Sequence, residues 1–181
     1  MKLSILTVHL NDLEGLSDTL DSIRSIIKDN QIEWIVIDGG TLARNSADRK
    51  LFEEVGSITK EFISEADNGL FNAMNKGTAI AEGEYLLYLN SGDLLHSEFS
   101  IQKLEQELGR THAGMIWGTC HEQFPDGRLV KLKTRRPGLA WYGIPVNHQN
   151  VLFRRDLLGK APYDEDLLYC ADYDLIARLL K

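Results

Sequence analysis

Acidic residues in this chain stand where apolar runs end. Tyr85 to Leu89 is an apolar and aromatic run that stops at Asn90-Ser-Gly-Asp93, and Trp34 to Ile37 is a similar run that stops at Asp38. Such runs are typical of strands buried in a parallel sheet, and ligands bind beside the carboxyl ends of those strands. A carboxylate there could hold a hard cation together with phosphate oxygens.

Each of these acids also has an ordinary structural explanation. Asp38, Asp67 and Asp93 each stand close to a glycine, as aspartates in turns do. Asp172 precedes an apolar helical pattern, where it could be a helix N-cap or a base that accepts a hydroxyl proton. Asp174 is the second candidate for the base, and its alternative is a helix first-turn acid. The residues alone leave these alternatives open.

Other side chains are weaker candidates for ligand contacts. His148 could bind a metal or orient an acceptor, but a single histidine is more often a hydrogen-bonded structural residue. Trp141 and Tyr142 could stack on a sugar ring or pack within their loop. Asn75 and Lys76 fit the polar side of a helix. A basic strand face could neutralise a diphosphate, although a solvated face explains it better. That face carries Lys131, Lys133 and Arg135.

Strands and helices alternate in the part of the chain that carries most of these acids. Apolar runs predict strands at Leu3–Leu10, Glu33–Asp38, Glu61–Ser64 and Tyr85–Leu89. Helical spacing of apolar residues predicts helices over 13–27, 47–55, 70–81 and 99–108. This alternation predicts a parallel sheet with right-handed crossovers.

The second half of the chain changes character. The segments Met115–Gln123 and Arg128–Thr134 flank a Pro-Asp-Gly turn, which predicts an antiparallel hairpin. A short strand is expected at Asn150–Phe153 and a helix at Asp172–Leu180. The fold class is therefore α/β: one domain over 1–181 with a mostly parallel sheet flanked by helices and a hairpin in the second half. We expect a nucleotide-binding half over 1–95 and an acceptor-side half over 96–181.

Composition narrows the classes of partner and compartment. The formal net charge of -7 argues against bulk nucleic acid as a partner. Cys120 and Cys170 lack CxxC spacing, so we expect two buried thiols in a reducing compartment. The first ten residues predict a strand, not a signal peptide, and no apolar run is long enough to span a bilayer.

The order of three motifs resembles bacterial family 2 glycosyltransferases of the GT-A fold. The likeness covers nearly the whole chain and is strongest to the small enzymes of exopolysaccharide, colanic acid, capsule and O-antigen synthesis. The motifs are Asp67-Asn-Gly-Leu-Phe-Asn-Ala-Met-Asn-Lys-Gly77, Gly83-Glu-Tyr-Leu-Leu-Tyr-Leu-Asn-Ser-Gly-Asp93, and the pair Asn147-His-Gln149 with Ala171-Asp-Tyr-Asp-Leu175.

The resemblance implies a donor site and a base. Asp93, in a DxD-type motif that begins at Asn90, would hold Mn or Mg on the diphosphate of a nucleotide-sugar. Asp172 would accept the proton of an acceptor hydroxyl during a one-step displacement with inversion. The residues implied to contact the nucleotide are Thr7, Val8, Asp38, Asp67, Asn90 and Asp93.

The chain departs from the family pattern at several positions. Asn90 and Gly92 replace acids of the DxD motif, so the phosphates would carry more of the metal binding. The segment Gly39 to Arg44 lacks the family's second acid, and Ala171 replaces the acid that usually precedes the base. The chain ends at Lys181, where relatives commonly continue, which raises the alternative of a truncated chain.

These features together predict a hexosyltransferase that uses a nucleotide-sugar donor, expected to be a UDP-sugar. The acceptor would be a glycan or a polyprenyl-linked glycan, and nucleic acid is not expected as a partner. We expect a cytoplasmic location, with peripheral contact at the inner face of the plasma membrane if the acceptor is polyprenyl-linked. The alternatives are a nucleotide-sugar-binding module without transfer activity and a nucleotide-sugar hydrolase in which Asp172 activates water.

Overall fold

A single mixed sheet organises the chain. The computed structural model describes residues 2–111, 113–132, 143 and 146–181. The strands are β1 Leu3–His9, β2 Ile32–Asp38, β3 Glu61–Ser64, β4 Tyr85–Tyr88, β5 Met115–Trp117, β6 His121–Gln123, β7 Leu129–Lys131 and β8 Val151–Arg154. The helices are α1 Leu13–Ile23, α2 Ser46–Ile58, α3 Leu70–Ile80, α4 Ile101–Thr111, α5 Arg155–Leu158 and α6 Ala171–Leu179. A short 3₁₀ turn covers His148–Asn150.

The six strands of the main sheet run in the order β3-β2-β1-β4-β8-β5. Strands β1 to β4 are mutually parallel where they pair, whereas β8 is antiparallel to both β4 and β5. The prediction of an α/β fold with a mostly parallel sheet is therefore confirmed. Since β8 runs against β4, the chain enters β8 at the edge where β4 ends.

Helices cover both faces of this sheet. Strand β1 is buried along its whole length, so its alternate residues pack on opposite faces. On one face Leu6 and Val8 join a core cluster with Met74 of α3 and Leu175 of α6. The other face packs against apolar residues of α1, α2 and α4, namely Leu16, Leu20, Val55, Ile101 and Leu108. No helix in the part of the chain that the structure describes is long and apolar enough to cross a membrane.

The predicted hairpin is smaller than its sequence pattern indicated. Strands β6 and β7 pair as an antiparallel hairpin, as predicted, but Met115–Trp117 separates as β5 and pairs with β8 in the main sheet. The prediction that Met115–Gln123 forms one long arm of the hairpin was wrong. The apolar residues of β5 pack against the core, whereas β6 is exposed. Lys131 lies in exposed β7, and the predicted residues Lys133, Arg135, Trp141 and Tyr142 lie outside the described part of the chain.

The expectation of two buried thiols is also wrong. Both cysteines are free, and Cys120 is half-buried while Cys170 is exposed. Cys170 is exposed at the N-cap position of α6, where its backbone has a left-handed conformation with a φ of 66°.

A buried ion network ties the strands together at the opposite edge, where they begin. One Glu33 carboxylate oxygen accepts hydrogen bonds from the Ser4 hydroxyl (2.6 Å) and from the backbone N–H groups of Glu82 and Gly83. The other lies 2.6 Å from Lys2 Nζ and 3.3 Å from Lys60 Nζ. Burial opposes ionisation of Glu33, but these partners outweigh it and lower the pKa to about 2.

We expect Glu33→Gln to lower the free energy of unfolding by about 3 kcal/mol near neutral pH, because it leaves this network without its buried carboxylate. The unfolded Glu33 pKa is about 4.5 and the folded one about 2. The carboxylate therefore stabilises the fold above about pH 4.5 and loses that effect as the pH falls towards 2. Urea denaturation across this window should show a shallower pH dependence in the variant. Equal slopes in the two proteins would contradict this role for Glu33.

Candidate active site

Polar side chains gather at the edge where the parallel strands end. Parallel pairing in register brings His9 of β1 next to Asp38 of β2, and Asp38 next to Ser64 of β3. The chain leaves β4 into Asn90–Asp93 at the same edge, and the His148–Asn150 turn approaches it from the start of β8. The sequence-predicted acids of β2 and β4 therefore share one edge of the sheet.

The Asn90–Asp93 turn rests on α1. The buried Thr19 hydroxyl accepts a hydrogen bond from Gly92 N (3.0 Å) and points its proton between the carbonyl oxygens of Asp93 (2.9 Å) and Asn90 (3.2 Å). Gly92 has a φ of 85°, and a Cβ on Gly15 would lie 2.8 Å from Gly92 N. The turn therefore needs both a glycine at its tip and a glycine in the helix below it.

We expect Thr19→Val to destabilise the protein by about 1–3 kcal/mol, because it leaves the polar backbone groups of the turn without their buried partner. Thr19→Ser keeps the hydroxyl and is the matched control, so it should retain most of the stability. Chemical denaturation of the three proteins measures both effects. A valine variant as stable as the wild type would contradict this role of the hydroxyl.

Asp93 is held by contacts from two directions. Its Oδ2 accepts a hydrogen bond from the side-chain amide of Gln149, 56 residues further along the chain. Burial raises the pKa of the Asp93 carboxyl, while a hydrogen bond from the Asn90 backbone and the charge of His148 oppose that shift. Asn90 Oδ1 is buried and has no hydrogen-bond partner among the described residues. An amide oxygen and a carboxylate are thus available at the tip of β4.

These two donors fit a hard divalent cation. Mg²⁺ takes oxygen ligands and is commonly bound through one or two carboxylates together with substrate phosphates. Among the residues that the structure describes, no group of three or more His, Cys, Asp or Glu side chains could hold a metal by itself. Asp93 and Asn90 could therefore hold Mn or Mg only in company with ligand oxygens such as those of a diphosphate.

Asp172 lies in the first turn of α6 and faces His148. Its Oδ2 is 3.3 Å from His148 Nδ1, and the Asp172 side chain is 21% exposed. The hydrogen bond from His148 lowers the pKa of the Asp172 carboxyl more than burial raises it, so the carboxylate is kept ionised. A half-buried, ionised carboxylate with access to solvent can accept a proton from a bound hydroxyl.

The structure removes one alternative for Asp172. The N-cap residue of α6 is Cys170, whose side chain makes no capping hydrogen bond, so Asp172 is not the N-cap. Asp174, the second candidate for the base, pairs instead with Arg178 one turn later, with 2.8 Å between Oδ2 and Nε. The geometry favours Asp172 over Asp174 as the residue free to act on a ligand.

A single turn connects the two carboxylates. Asn147 caps the 3₁₀ turn by accepting the Gln149 N–H at 3.1 Å, and its backbone oxygen accepts the Asn150 N–H at 3.0 Å. From this turn His148 reaches Asp172 and Gln149 reaches Asp93. Asp93 and Asp172 are thus brought together although they are far apart in sequence.

Asp38 is closed off from solvent. Its oxygens accept hydrogen bonds from Thr41 N (3.0 Å) and the Ser64 hydroxyl (2.6 Å), and one lies 3.7 Å from His9 Nε2. Burial lowers the pKa of His9 although the charge of Asp38 opposes it, which favours the neutral ring. In this arrangement Asp38 organises the loop after β2, and direct nucleotide contact stays a prediction.

The other predicted nucleotide residues lie near this loop or within the sheet. Asp67 is half-buried, accepts the Gly69 N–H at 2.8 Å, and approaches Gly39 so closely that a Cβ there would lie 2.8 Å from its Oδ2. Thr7 is fully buried, and its hydroxyl donates a hydrogen bond to Leu89 O (2.7 Å) and accepts one from the Trp34 indole N–H (2.9 Å). Val8 belongs to the core. The structure thus places Asp67 at the edge, with Thr7 and Val8 inside the sheet.

Two further residues shape the site without having been predicted to do so from the sequence. Asn75 is buried, so its assignment to the polar side of a helix was wrong. Its side-chain N–H donates to Tyr163 O (2.9 Å) and Glu165 Oε1 (2.8 Å), and its Oδ1 accepts a hydrogen bond from Tyr163 N (3.0 Å). These hydrogen bonds hold the segment that leads into α6 against α3. Asp12 caps α1 and accepts the Ser91 hydroxyl at 3.0 Å. The position of Asp12 just before the apolar pattern of α1 was the one available signal.

Comparison with known proteins identifies the family. The model of the family described as glycosyl transferase family 2 matches residues 4–165. The chain belongs to glycosyl transferase family 2. The assignment of the sequence to a bacterial family 2 glycosyltransferase is thereby confirmed, and its three motifs all lie at the edge described above or lead to it.

Similar proteins include mycobacterial members of this glycosyltransferase family. An uncharacterized glycosyltransferase of Mycobacterium tuberculosis is 33% identical over 97% of this chain and 67% of its own length. A PGL/p-HBAD biosynthesis glycosyltransferase of Mycobacterium bovis is 26% identical over 97% of this chain and 68% of its own length. The chain thus spans about two thirds of these glycosyltransferases.

Solved structures show the same fold at low sequence identity. TarS 1–349 of S. aureus, solved in complex with UDP, superposes with a TM-score of 0.68 and 15% identity over 97% of this chain and 54% of that one. The mannosyltransferase PcManGT of Pyrobaculum calidifontis, solved with GDP-Man and Mn²⁺, gives 0.67 and 16% over 99% and 51%. The predicted GT-A glycosyltransferase fold is confirmed, and the chain spans about half the length of these structures.

Proposed function

We propose that this glycosyltransferase moves a hexose from a nucleotide-sugar, expected to be a UDP-sugar, to a glycan or polyprenyl-linked glycan in bacterial surface polysaccharide synthesis. The observation that carries the proposal is that the His148–Asn150 turn contacts both carboxylates, Asp93 and Asp172. Asp93 stands in a strand-end turn that suits a cation and a diphosphate, while Asp172, held by His148, is a partly exposed, ionised carboxylate suited to act as a base.

The donor would lie over the Asn90–Asp93 turn. Asp93 and Asn90 would hold Mn or Mg, and the cation would neutralise the charge that develops on the departing diphosphate. Apart from Asp93, Asp67 is the predicted nucleotide residue whose carboxylate is partly exposed at this edge. Thr7, Val8 and Asp38 would act mainly by shaping the sheet end and the loop after β2 against which the nucleotide lies.

Asp172 would serve the acceptor. An acceptor hydroxyl is too weakly acidic to attack unaided, so a base must take its proton as the bond to the anomeric carbon forms. The Asp172 carboxylate, held by His148, would take this proton while the nucleoside diphosphate departs. Attack and departure on opposite sides of the sugar give inversion in one step.

The wider setting of the reaction is part of the same proposal. The halves 1–95 and 96–181 would bind donor and acceptor respectively, and α6 would carry the base between them. A cytoplasmic protein with peripheral contact at the inner face of the plasma membrane fits a polyprenyl-linked acceptor.

A product assay tests transfer directly. The protein would be incubated with UDP- and GDP-sugars, Mn²⁺, and glycan or polyprenyl-linked acceptors. Release of the nucleoside diphosphate together with a new glycoside of inverted anomeric configuration, read by NMR, supports the proposal. Free sugar formed at the same rate without acceptor would instead show a hydrolase. Nucleotide binding without release of either product would show a binding module.

A further inference from the structure

The His148–Asn150 turn, which Asn147 caps, brings two consecutive side chains into contact with the two carboxylates. Gln149 donates its amide to Asp93, and His148 donates from Nδ1 to Asp172 at 3.3 Å. Both carboxylates belong to other elements, the turn after β4 and the first turn of α6. The distance and orientation between them are therefore fixed through a single capped turn whose own backbone bonds hold its shape.

We propose that this turn is a positioning element with divided roles: Gln149 sets the Asp93 carboxylate for cation and donor binding, and His148 sets Asp172 for proton transfer. The inference rests on the proposed function and adds two positioning residues to it. Neither residue needs to touch the substrate, because each acts through the carboxylate that it contacts.

The role of Gln149 follows from the chemistry of its amide. A neutral amide donates one hydrogen bond to Asp93 Oδ2 without supplying a positive charge that would compete with a cation. A carboxylate can accept several bonds, so Asp93 can keep this contact while it also binds a metal. Residues that hold a metal-binding carboxylate typically change metal affinity by about 10–100-fold when they are removed.

The role of His148 follows from its confinement. His148 is 8% exposed, and its ring packs edge-on near Tyr88 and Tyr163, with centroids 6.3 Å and 6.4 Å away. An ionised Asp172 can only accept, so the proton of this contact must lie on His148 Nδ1, and Nε2 has no partner among the described residues. The packed ring thus offers Asp172 one fixed donor.

The test separates binding from turnover. Calorimetry measures UDP binding with Mn²⁺, and steady-state assays measure kcat at saturating donor and metal. We expect Gln149→Ala to weaken Mn²⁺-dependent UDP binding by about 10-fold with little change in kcat. We expect His148→Ala to lower kcat by about 10-fold or more with unchanged UDP binding. Gln106→Ala, on the exposed side of α4, is the matched control and should change neither quantity.

Conservative variants distinguish positioning from general damage to the fold. His148→Asn can present its amide N–H near the Nδ1 position and should recover part of the kcat lost in His148→Ala. Asn147→Ala removes the cap and should affect both quantities, whereas Asn147→Ser keeps a capping oxygen and should restore both. Thermal unfolding of every variant confirms that the folded protein is being compared.

Two results would overturn the inference, and they differ from failure of the proposed function. If the wild type transfers sugar but Gln149→Ala and His148→Ala change the same quantity by the same factor, the roles are not divided. If neither variant differs from Gln106→Ala, the turn does not position either carboxylate. A wild type that binds no nucleotide and transfers no sugar would refute the proposed function, and with it the inference.

Discussion

Asp172→Asn should lower kcat for sugar transfer by about 10²–10⁴-fold while leaving UDP binding unchanged. The side chain keeps its shape but can no longer accept the acceptor's proton. It also exchanges an ionised partner of His148 for a neutral amide, so the 3.3 Å contact with Nδ1 persists in weaker form. Steady-state kinetics at saturating donor, together with calorimetric titration of UDP, measure the two quantities separately.

Asp174→Asn is the matched control for this variant. Asp174 lies two residues further along the same helix, pairs with Arg178, and is more exposed than Asp172. We expect the Asp174 variant to keep most of the activity, since loss of a surface ion pair of this kind costs about 1 kcal/mol or less of stability. A larger loss of kcat in Asp174→Asn than in Asp172→Asn would contradict the assignment of Asp172 as the base and would favour Asp174.

Asp93→Asn should lower kcat/KM for the donor at least about 100-fold, which corresponds to about 3 kcal/mol. Asp93 is the single carboxylate of the Asn90–Asp93 turn, so the variant leaves a cation there with neutral protein ligands only. We expect the residual activity to need a much higher concentration of Mn²⁺. A titration of activity against Mn²⁺ at fixed donor concentration measures this shift.

The control for Asp93 removes an equal charge from the protein without touching the turn. Asp18 is exposed on α1, and Asp18→Asn should leave both the donor kinetics and the Mn²⁺ requirement unchanged. If Asp93→Asn has the Mn²⁺ dependence of the wild type, the cation is bound elsewhere or is not needed. That result would remove the metal from the proposed mechanism but would leave Asp172 as base.

Much of the sheet could be predicted because buried parallel strands leave a strong pattern. The runs that end at Asp38 and before Asn90 are apolar on both faces, and the structure buries every residue of β2 and β4. Strand β3, Glu61–Ser64, has the predicted bounds, since a β-branched and aromatic centre is flanked by charged residues. The carboxyl ends of these strands then predict where the candidate site lies.

The contacts within the site could not be predicted in the same way. Gln149 and Asp93 are 56 residues apart, and Asn75 and Tyr163 are 88 residues apart. Nothing local to a glutamine or an asparagine shows which carboxylate or backbone group it meets across the fold. The same limit explains the hairpin, because β5 leaves its neighbour β6 to pair with β8, whose position depends on the whole sheet.

Local signals also misled where tertiary packing overrides them. Asn75 fits the polar side of α3 by sequence but is buried against the segment before α6. Asp172 fits an N-cap by sequence, yet α6 begins one residue earlier, behind a cysteine in a left-handed conformation. For Asn75 the outcome depends on the segment between β8 and α6, which bonds to α3 through Tyr163.

Calorimetric titration of UDP and GDP into the wild type and Asp93→Ala, each with and without Mn²⁺, tests the donor site most directly. We predict that the wild type binds UDP tightly only when Mn²⁺ is present, and that Asp93→Ala loses this binding. Binding of UDP that is equally tight in both proteins, or that does not respond to Mn²⁺, would contradict the assignment of the cation and diphosphate to the Asn90–Asp93 turn.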